Sequence, residues 1–244
     1  MRTYKLTISY DGSRYLGWQK QPDIDLTIQG TLERAVSKLA GHSVEVFGSG
    51  RTDGGVHAKG QTASIVLPQK VNEKEFLTAL NQELPKDIRV LDMEFMKVRF
   101  HARYSAKSKC YEYTIDTREK ADVFMRKYTF HYPETLDLEK MKKAADLLIG
   151  YHDFAGYTDR PDEKSSKRWI YSIKIEKDVD KIRIAYCGSG FMYHMVRILT
   201  GTLLDVGCGR RSVESVLRPI ESGVRADAGF LAPASGLCLK EVYY

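Results

Sequence analysis

The chain has 244 residues, of which 43% are hydrophobic and 29% charged, the balance of a soluble globular protein with one large or two small domains. Its net charge of +6 and pI near 9.0 favour polyanionic partners such as nucleic acid. No stretch approaches the roughly 18 consecutive apolar residues of a membrane helix, and MRTYKLTISYDG alternates like a strand, not like a signal peptide, so a cytoplasmic protein is expected.

Residues 4–10, YKLTISY, alternate with period two and predict a strand. A turn-rich segment, DGSRYLGWQKQPDID, follows, with aromatics beside Lys and Arg. Ile28, Leu32, Ala35, Val36 and Leu39 then form one apolar stripe at helical spacing, which Gly41 ends. VEVFG (44–48) predicts a short strand, a glycine-rich loop comes next, and TASIVL (62–67) predicts another strand. Asn72 and Glu75 make a capping box for a helix presenting Phe76, Leu77, Leu80 and Leu84. Pro85 stops that helix, and IRVLDMEFM (88–96) is again a strand.

The second half follows the same grammar. CYEYTI (110–115) predicts a strand, and Leu138, Met141, Ala145 and Leu148 predict a helix ending at Gly150. IYSIKIEK (170–177) and KIRIAYCG (181–188) form a hairpin around Asp178–Asp180. A helix over about 192–206, a shorter one near 213–220 and a closing strand, LCLKEVYY, complete the chain. Segments 116–135 and 154–168 give weak signals, and the second, polar and containing Gly and Pro, predicts a mobile loop. Strands interleaved with helices and hairpins predict an α+β fold, with two similar β-α-β-β modules of the RRM or ferredoxin-like kind. These form a largely antiparallel mixed sheet with helices on one face, and such modules leave the other face free to bind RNA.

Several chemistries lack support. The four cysteines are scattered without a CxxC pair and predict free thiols in a reducing compartment; the six histidines form no HxxxH or HExxH pattern, so no metal site is expected. Gly55 to Gly60 is followed by Gln61 where a phosphate-binding loop needs Lys-Ser or Lys-Thr, and Gly188-Ser189-Gly190 is no nucleophile elbow. Two segments do carry chemistry. GSGRTDGGVHAKGQ places five glycines within 13 residues around Asp53, with Arg51 before it and His57 after it. Asp53-Gly54 is compatible with a plain hairpin turn. The loop is longer than such a turn, however, and a neighbouring guanidinium would hold the carboxylate ionised as nucleophile or base, so both interpretations stay open. The stretch from Lys97 to Tyr111 carries five basic residues and no acidic one, interleaved with Phe100, Tyr104 and Tyr111. That composition suits stacked bases and paired phosphates, or else a solvated basic strand with inward aromatics. Arg197 sits on an otherwise apolar helix in FMYHMVRILTG and calls for a carboxylate partner.

These segments resemble the TruA-type tRNA pseudouridine synthases. GSGRTDGGVHAKGQ is similar to that family's GRTDAGVHA signature, and the likeness extends through ISYDG, the GWQ and TIQG stretch, FHARYSAKSKCYEY, FMYHMVRILTG and LAPASGLCLKEVYY in order. The resemblance implies a cofactor-free isomerase that turns uridines of the anticodon stem-loop, tRNA positions 38 to 40, into pseudouridine after flipping the base. It implies that Asp53 is catalytic, that Tyr111 packs on the target uracil, that Arg197 pairs with Asp53, and that Arg51 helps to extrude the base. A homodimer is implied, with 1–104 as the subdomain carrying the RTD loop and 105–244 completing the active-site cleft. Two positions depart from the family pattern: Gly54 stands where alanine is usual, and Cys110 where a basic residue is general. Rival possibilities are an inactive RNA-binding module, which the intact Arg51-Thr52-Asp53 speaks against, and a glycosidase or nuclease, which would need a second carboxylate or a metal.

Overall fold

The first strand shows how alternation becomes a core. In the computed structural model, which describes residues 1–97, 99–160 and 165–244, β1 (Arg2–Tyr10) buries Tyr4, Leu6, Ile8 and Tyr10 while the residues between them are more exposed. The chain divides into two compact units, Met1–Lys107 with Leu239–Tyr244, and Ser108–Cys238. The sequence division at 104/105 assigns the whole C-terminal strand to the second subdomain; its last six residues group with the first unit instead.

In the first unit α1 (Ile28–Ala40) is capped by Thr27, whose side chain accepts from the Gly30 N–H, and it ends at Gly41 with φ 71°. The strand expected at 44–48 shrinks to β2 (Phe47–Gly48) for an identifiable reason. The Val46 N–H donates to Glu33 Oε1 and its carbonyl accepts from Gln29 Nε2, while the Val44 N–H goes to Ser37 Oγ. Side chains of α1 thus take the backbone groups that a strand would have used. Conversely β3 (His57–Leu67) begins inside the glycine-rich segment, five residues earlier than the pattern predicts. Asn72 caps α2 (Glu73–Glu83) by accepting from the Lys74 and Glu75 N–H groups, and β4 (Ile88–Met96) has the predicted bounds. With β10 (Leu237–Tyr243), the strands of this unit run in the order β4–β1–β3–β10, with β2 on β3; β1 is antiparallel to both β3 and β4.

The second unit holds β5 (Ser108–Asp116), β6 (Phe130–His131), α3 (Leu138–Leu147), β7 (Gly150–Asp153), β8 (Lys167–Asp178), β9 (Lys181–Gly188), α4 (Met195–Gly207) and the one-turn α5 (Arg218–Ser222). The order is β5–β9–β8–β7, antiparallel throughout, with β6 parallel to β5. The fold is therefore α+β, with a mixed, largely antiparallel arrangement and five α-helices among the described residues. α3 packs on α4 and on β8, and Ile173, Ile175, Ile184, Tyr186, Met141, Ile198 and Leu203 are buried there. α4 starts at Met195, three residues later than the apolar run, because His194 adopts φ 63°. The loop expected over 154–168 is partly ordered core: Phe154 and Tyr157 are fully buried and β8 starts at Lys167, while 161–164 lie outside the described residues.

The cysteine expectation requires a correction. Cys110 and Cys187 form a disulfide with their Cα atoms 4.2 Å apart, while Cys208 and Cys238 are outside any disulfide. The two residues are 77 apart in sequence, so no local spacing signals the pairing. The register of β5 against β9 sets Cys110 directly opposite Cys187.

The weakly patterned stretch after β5 is organised by one carboxylate. Asp116 is buried and accepts from Arg118 Nε and Nη2, both at 2.9 Å, and from the Asp122 N–H at 3.1 Å. The hydrogen bonds from Arg118 hold its carboxyl well below the usual carboxylate range. A depressed folded-state pKa stabilises the native state above the ordinary value of about 4 and loses that contribution as pH falls below it. Asp116→Asn is expected to cost about 1–2 kcal/mol at pH 7, discounted for the partly exposed Arg118, with the difference shrinking toward pH 3 in denaturant titrations.

Candidate active site

The glycine-rich segment is a built loop. Ser49 Oγ donates to Gln61 Oε1 at 2.7 Å, and Gln61 Nε2 donates to the Gly50 carbonyl at 3.1 Å. Thr52 is buried, with its hydroxyl 2.8 Å from Tyr10 OH and its carbonyl accepting from the Trp18 N–H at 3.0 Å. The Val56 N–H donates to the Asp53 carbonyl at 3.1 Å, closing a turn in which Gly55 has φ 81°. The Gly55 N–H in turn donates to the Tyr15 carbonyl at 3.2 Å, and His57 Nδ1 accepts from the Gly12 N–H at 3.1 Å. Asp53 itself is half-buried at the start of this turn, between the anchored Thr52 and the exposed Gly54.

Close backbone approach makes the clamp possible. A Cβ on Gly17, whose φ is 97°, would lie 2.8 Å from the Thr52 carbonyl oxygen, and one on Gly12 would overlap the Val56 carbonyl. On Gly48 it would meet the Trp18 ring at 2.5 Å. Gly54 is different. Its φ is not positive and a Cβ there would make only ordinary contacts with Tyr15 and Leu16 at 3.5–3.7 Å. The turn requires glycine at its third residue, Gly55, and tolerates any residue at its second. Arg51 is exposed and its Nε donates to Gln19 Oε1 at 3.1 Å.

Tyr111 and Arg197 belong to the second unit. Tyr111, on β5, is 8% exposed and meets Phe191 edge-on with ring centroids 5.4 Å apart. Arg197, on the first turn of α4, donates from Nε to the Ala232 carbonyl at 2.7 Å and lies near Tyr113, whose hydroxyl donates to the Pro233 carbonyl. Burial raises the Tyr113 phenol above its usual range, against the lowering effect of the Arg197 charge.

A cluster that sequence patterns miss fixes the start of α4. His194 precedes the helix in a left-handed conformation and makes no side-chain capping bond. Its Nδ1 lies 2.5 Å from Asp159 Oδ2, while Arg225 Nε donates to Asp159 Oδ1 at 2.8 Å. Burial alone would raise the Asp159 carboxyl, but the bonds from His194 and Arg225 outweigh it and hold it low. Thr158 Oγ1 adds a bond to the Tyr193 carbonyl at 2.8 Å. The only sequence signal was the single helix-disfavouring histidine before Met195; its partners lie 35 residues before and 31 after it.

The chain matches the model of the family described as tRNA pseudouridine synthase over residues 6–105 and 144–244. It belongs to this family, whose members are isomerases. It is 45% identical over 246 residues to "tRNA pseudouridine synthase A 2" of Clostridium perfringens (strain 13 / Type A), covering 100% of both chains. It is 43% identical over 245 residues to "tRNA pseudouridine synthase A" of Bacillus sp. (strain KSM-64), again over 100% of both. The solved "Crystal Structure of a Cbf5-Nop10-Gar1 Complex" superposes with a TM-score of 0.37 at 12% identity, over 97% of this chain and 48% of that one, a likeness too slight to bear on the fold.

Gly17→Ala is expected to destabilise the protein by about 1–3 kcal/mol and to slow pseudouridine formation, whereas Gly54→Ala leaves the rate within about twofold and changes stability by at most ~1 kcal/mol. Thermal melts with single-turnover rates compare the two. Asp159→Ala is expected to cost about 1 kcal/mol, given its partial exposure, and to increase amide exchange at the first turn of α4.

Proposed function

We propose that the protein converts uridine to pseudouridine in the anticodon stem-loop of tRNA, at positions 38 to 40, with Asp53 as the catalytic carboxylate. The observation that carries this reading is the clamped RTD loop: Thr52 is buried and bonded on both its side chain and its carbonyl, which anchors the backbone that presents Asp53. The relatives whose names include tRNA pseudouridine synthase A match along the whole chain, so this loop is read in the context of a complete likeness.

In this reading the reaction conserves every atom. The C1′–N1 bond breaks, the detached uracil turns, C5 bonds to C1′, and the proton on C5 leaves as N1 gains one. Asp53 either attacks C1′ or removes a proton from the sugar. No electrons leave the substrate, so the chemistry calls for no redox cofactor. The target base is stacked in a helix and must be extruded, at a cost of a few kcal/mol, which cations and an aromatic surface offset. Arg51, exposed beside Asp53, is assigned to that extrusion, and Tyr111 to packing against the uracil. Arg197 is assigned to the charge of Asp53; its Nε bond to Ala232 anchors the side chain.

The finer architecture belongs to the same proposal: two modules of related β-α-β-β plan with helices on one face, acting as a homodimer on tRNA in the cytoplasm. Supporting it are the α1–α2 and α3–α4 helix pairs, one in each unit, and the chain's net charge of +6. No helix of the described residues is long and apolar enough to cross a membrane.

Mapping pseudouridine in unmodified tRNA transcripts after incubation with the pure protein tests the reading directly. Pseudouridine at positions 38 to 40 is expected from the wild type and none from Asp53→Ala, which still binds tRNA. Normal product from Asp53→Ala would refute the assignment. Tyr111→Ala is expected to lower the single-turnover rate about 100-fold or more while tRNA affinity changes little.

A further inference from the structure

Three aromatic side chains stand side by side on the outer strands of the second unit. Tyr151 of β7 is 58% exposed, and Trp169 and Tyr171 of β8 are each 48% exposed. Tyr151 is the register partner of Trp169, with ring centroids 5.8 Å apart and planes inclined by 32°. Trp169 and Tyr171 follow at 6.3 Å and 33°. The rings thus form a continuous, gently tilted row. Single exposed apolar residues are ordinary on a protein surface, but a row of three large rings marks an interaction site.

The backbone is adapted to present this row. Ile170 pairs with Gly188 and Ser172 with Cys187, which leaves Tyr171 as the extra residue of a β-bulge. Beyond the bulge Ile173 and Ile175 return to the core, while Lys174 and Glu176 continue the exposed side. Trp169 is also pinned on both its backbone groups: its N–H donates to Ser189 Oγ and its carbonyl accepts from the Ser189 N–H, at 3.1 and 2.9 Å. The row is bracketed along β8 by Lys167 and Lys174, both exposed, with Arg168 beside it; Asp153 stands opposite Lys167.

We propose that Tyr151, Trp169 and Tyr171 form a stacking platform for unpaired nucleotides of the tRNA, a second RNA contact carried by the second unit alone. The proposal rests on tRNA being the substrate and assigns a part of its binding to residues outside the catalytic set. Aromatic rings on an open sheet, flanked by cations that meet the phosphates, bind single-stranded bases without reading their sequence. The chain's positive charge favours a polyanionic occupant over a neutral or basic protein, and the stacked rings suit the bases of RNA.

The two tryptophans make the test direct, because Trp18 is 2% exposed and Trp169 is the accessible one. In the Asp53→Ala background, tRNA is expected to quench the Trp169 emission, and Trp169→Phe to abolish the response while keeping the affinity. Trp169→Ala and Tyr171→Ala are each expected to raise Kd and KM for tRNA by about 5-fold or more, with single-turnover rates at saturating tRNA unchanged. Unchanged Kd and KM in both alanine variants, or absence of quenching at saturating tRNA, would overturn the platform even if the wild type modifies tRNA normally. Loss of self-association in Trp169→Ala by sedimentation, with tRNA affinity per protomer intact, would assign the row to a protein interface and overturn it equally. Failure of the wild type to bind or modify tRNA would instead remove the functional reading beneath it.

Discussion

The backbone-to-backbone contact at Gly17 and Gly12 is the constraint on which the candidate active site depends. The Thr52 and Val56 carbonyls occupy the space that side chains at those two positions would need. Because the chains approach so closely, the Trp18 and Gly55 N–H groups find carbonyl partners across the contact, and Tyr10 reaches the Thr52 hydroxyl. The backbone on both sides of Asp53 is thereby held by its neighbours' bonds. Glycine at 12 and 17 costs conformational entropy on folding, and that cost goes into the precision of a residue elsewhere in the sequence.

The second unit anchors its own candidate residues by a different device. α4 carries Arg197 on its first turn, and helix starts ordinarily fray. Here His194 gives up the capping role and bonds Asp159, which Arg225 also holds. The Arg197 carbonyl and Nε both engage Ala232, on the segment that follows Arg225. Bonds to one partly buried carboxylate thus restrain three segments at once, and the low Asp159 carboxyl keeps its own charge in place until acid protonates it.

Periodicity made the regular elements legible. β4 and α1 read directly because alternation and the 3.6-residue stripe match their burial, with Gly41 as a clear stop. What stayed hidden was decided by specific side-chain partners, most of them distant in sequence. The 44–46 segment has strand composition, but Glu33, Gln29 and Ser37 of α1 claim its backbone groups. The 116–122 turn has no pattern because one buried carboxylate, Asp116, organises it. The disulfide depends on the β5–β9 register, which no spacing rule encodes. In the site, the RTD loop was conspicuous through glycine density, whereas the glycines that clamp it, Gly12 and Gly17, lie more than 30 residues earlier and looked like ordinary turn residues. The tie of Arg51 to Gln19 was likewise invisible, since adjacency in sequence suggested Asp53 as its partner.

The two departures from the family pattern have unequal consequences. Gly54 occupies the turn position that does not need glycine and has room for a methyl group, so alanine and glycine are equivalent there in shape. Cys110 changes more. A basic side chain at that register position would add a cation beside Lys109, whereas cysteine pairs with Cys187 across the ladder and contributes no charge. In the proposed reading, in which the protein binds tRNA, other cations have to meet the phosphates. Within the same unit β8 supplies them: Lys167, Arg168 and Lys174 run alongside the exposed rings, two strands away from Cys110 in the order β5–β9–β8. Cys110 therefore trades a charge for a covalent tie between β5 and β9, and three of the unit's cations stand on β8 beside the exposed rings.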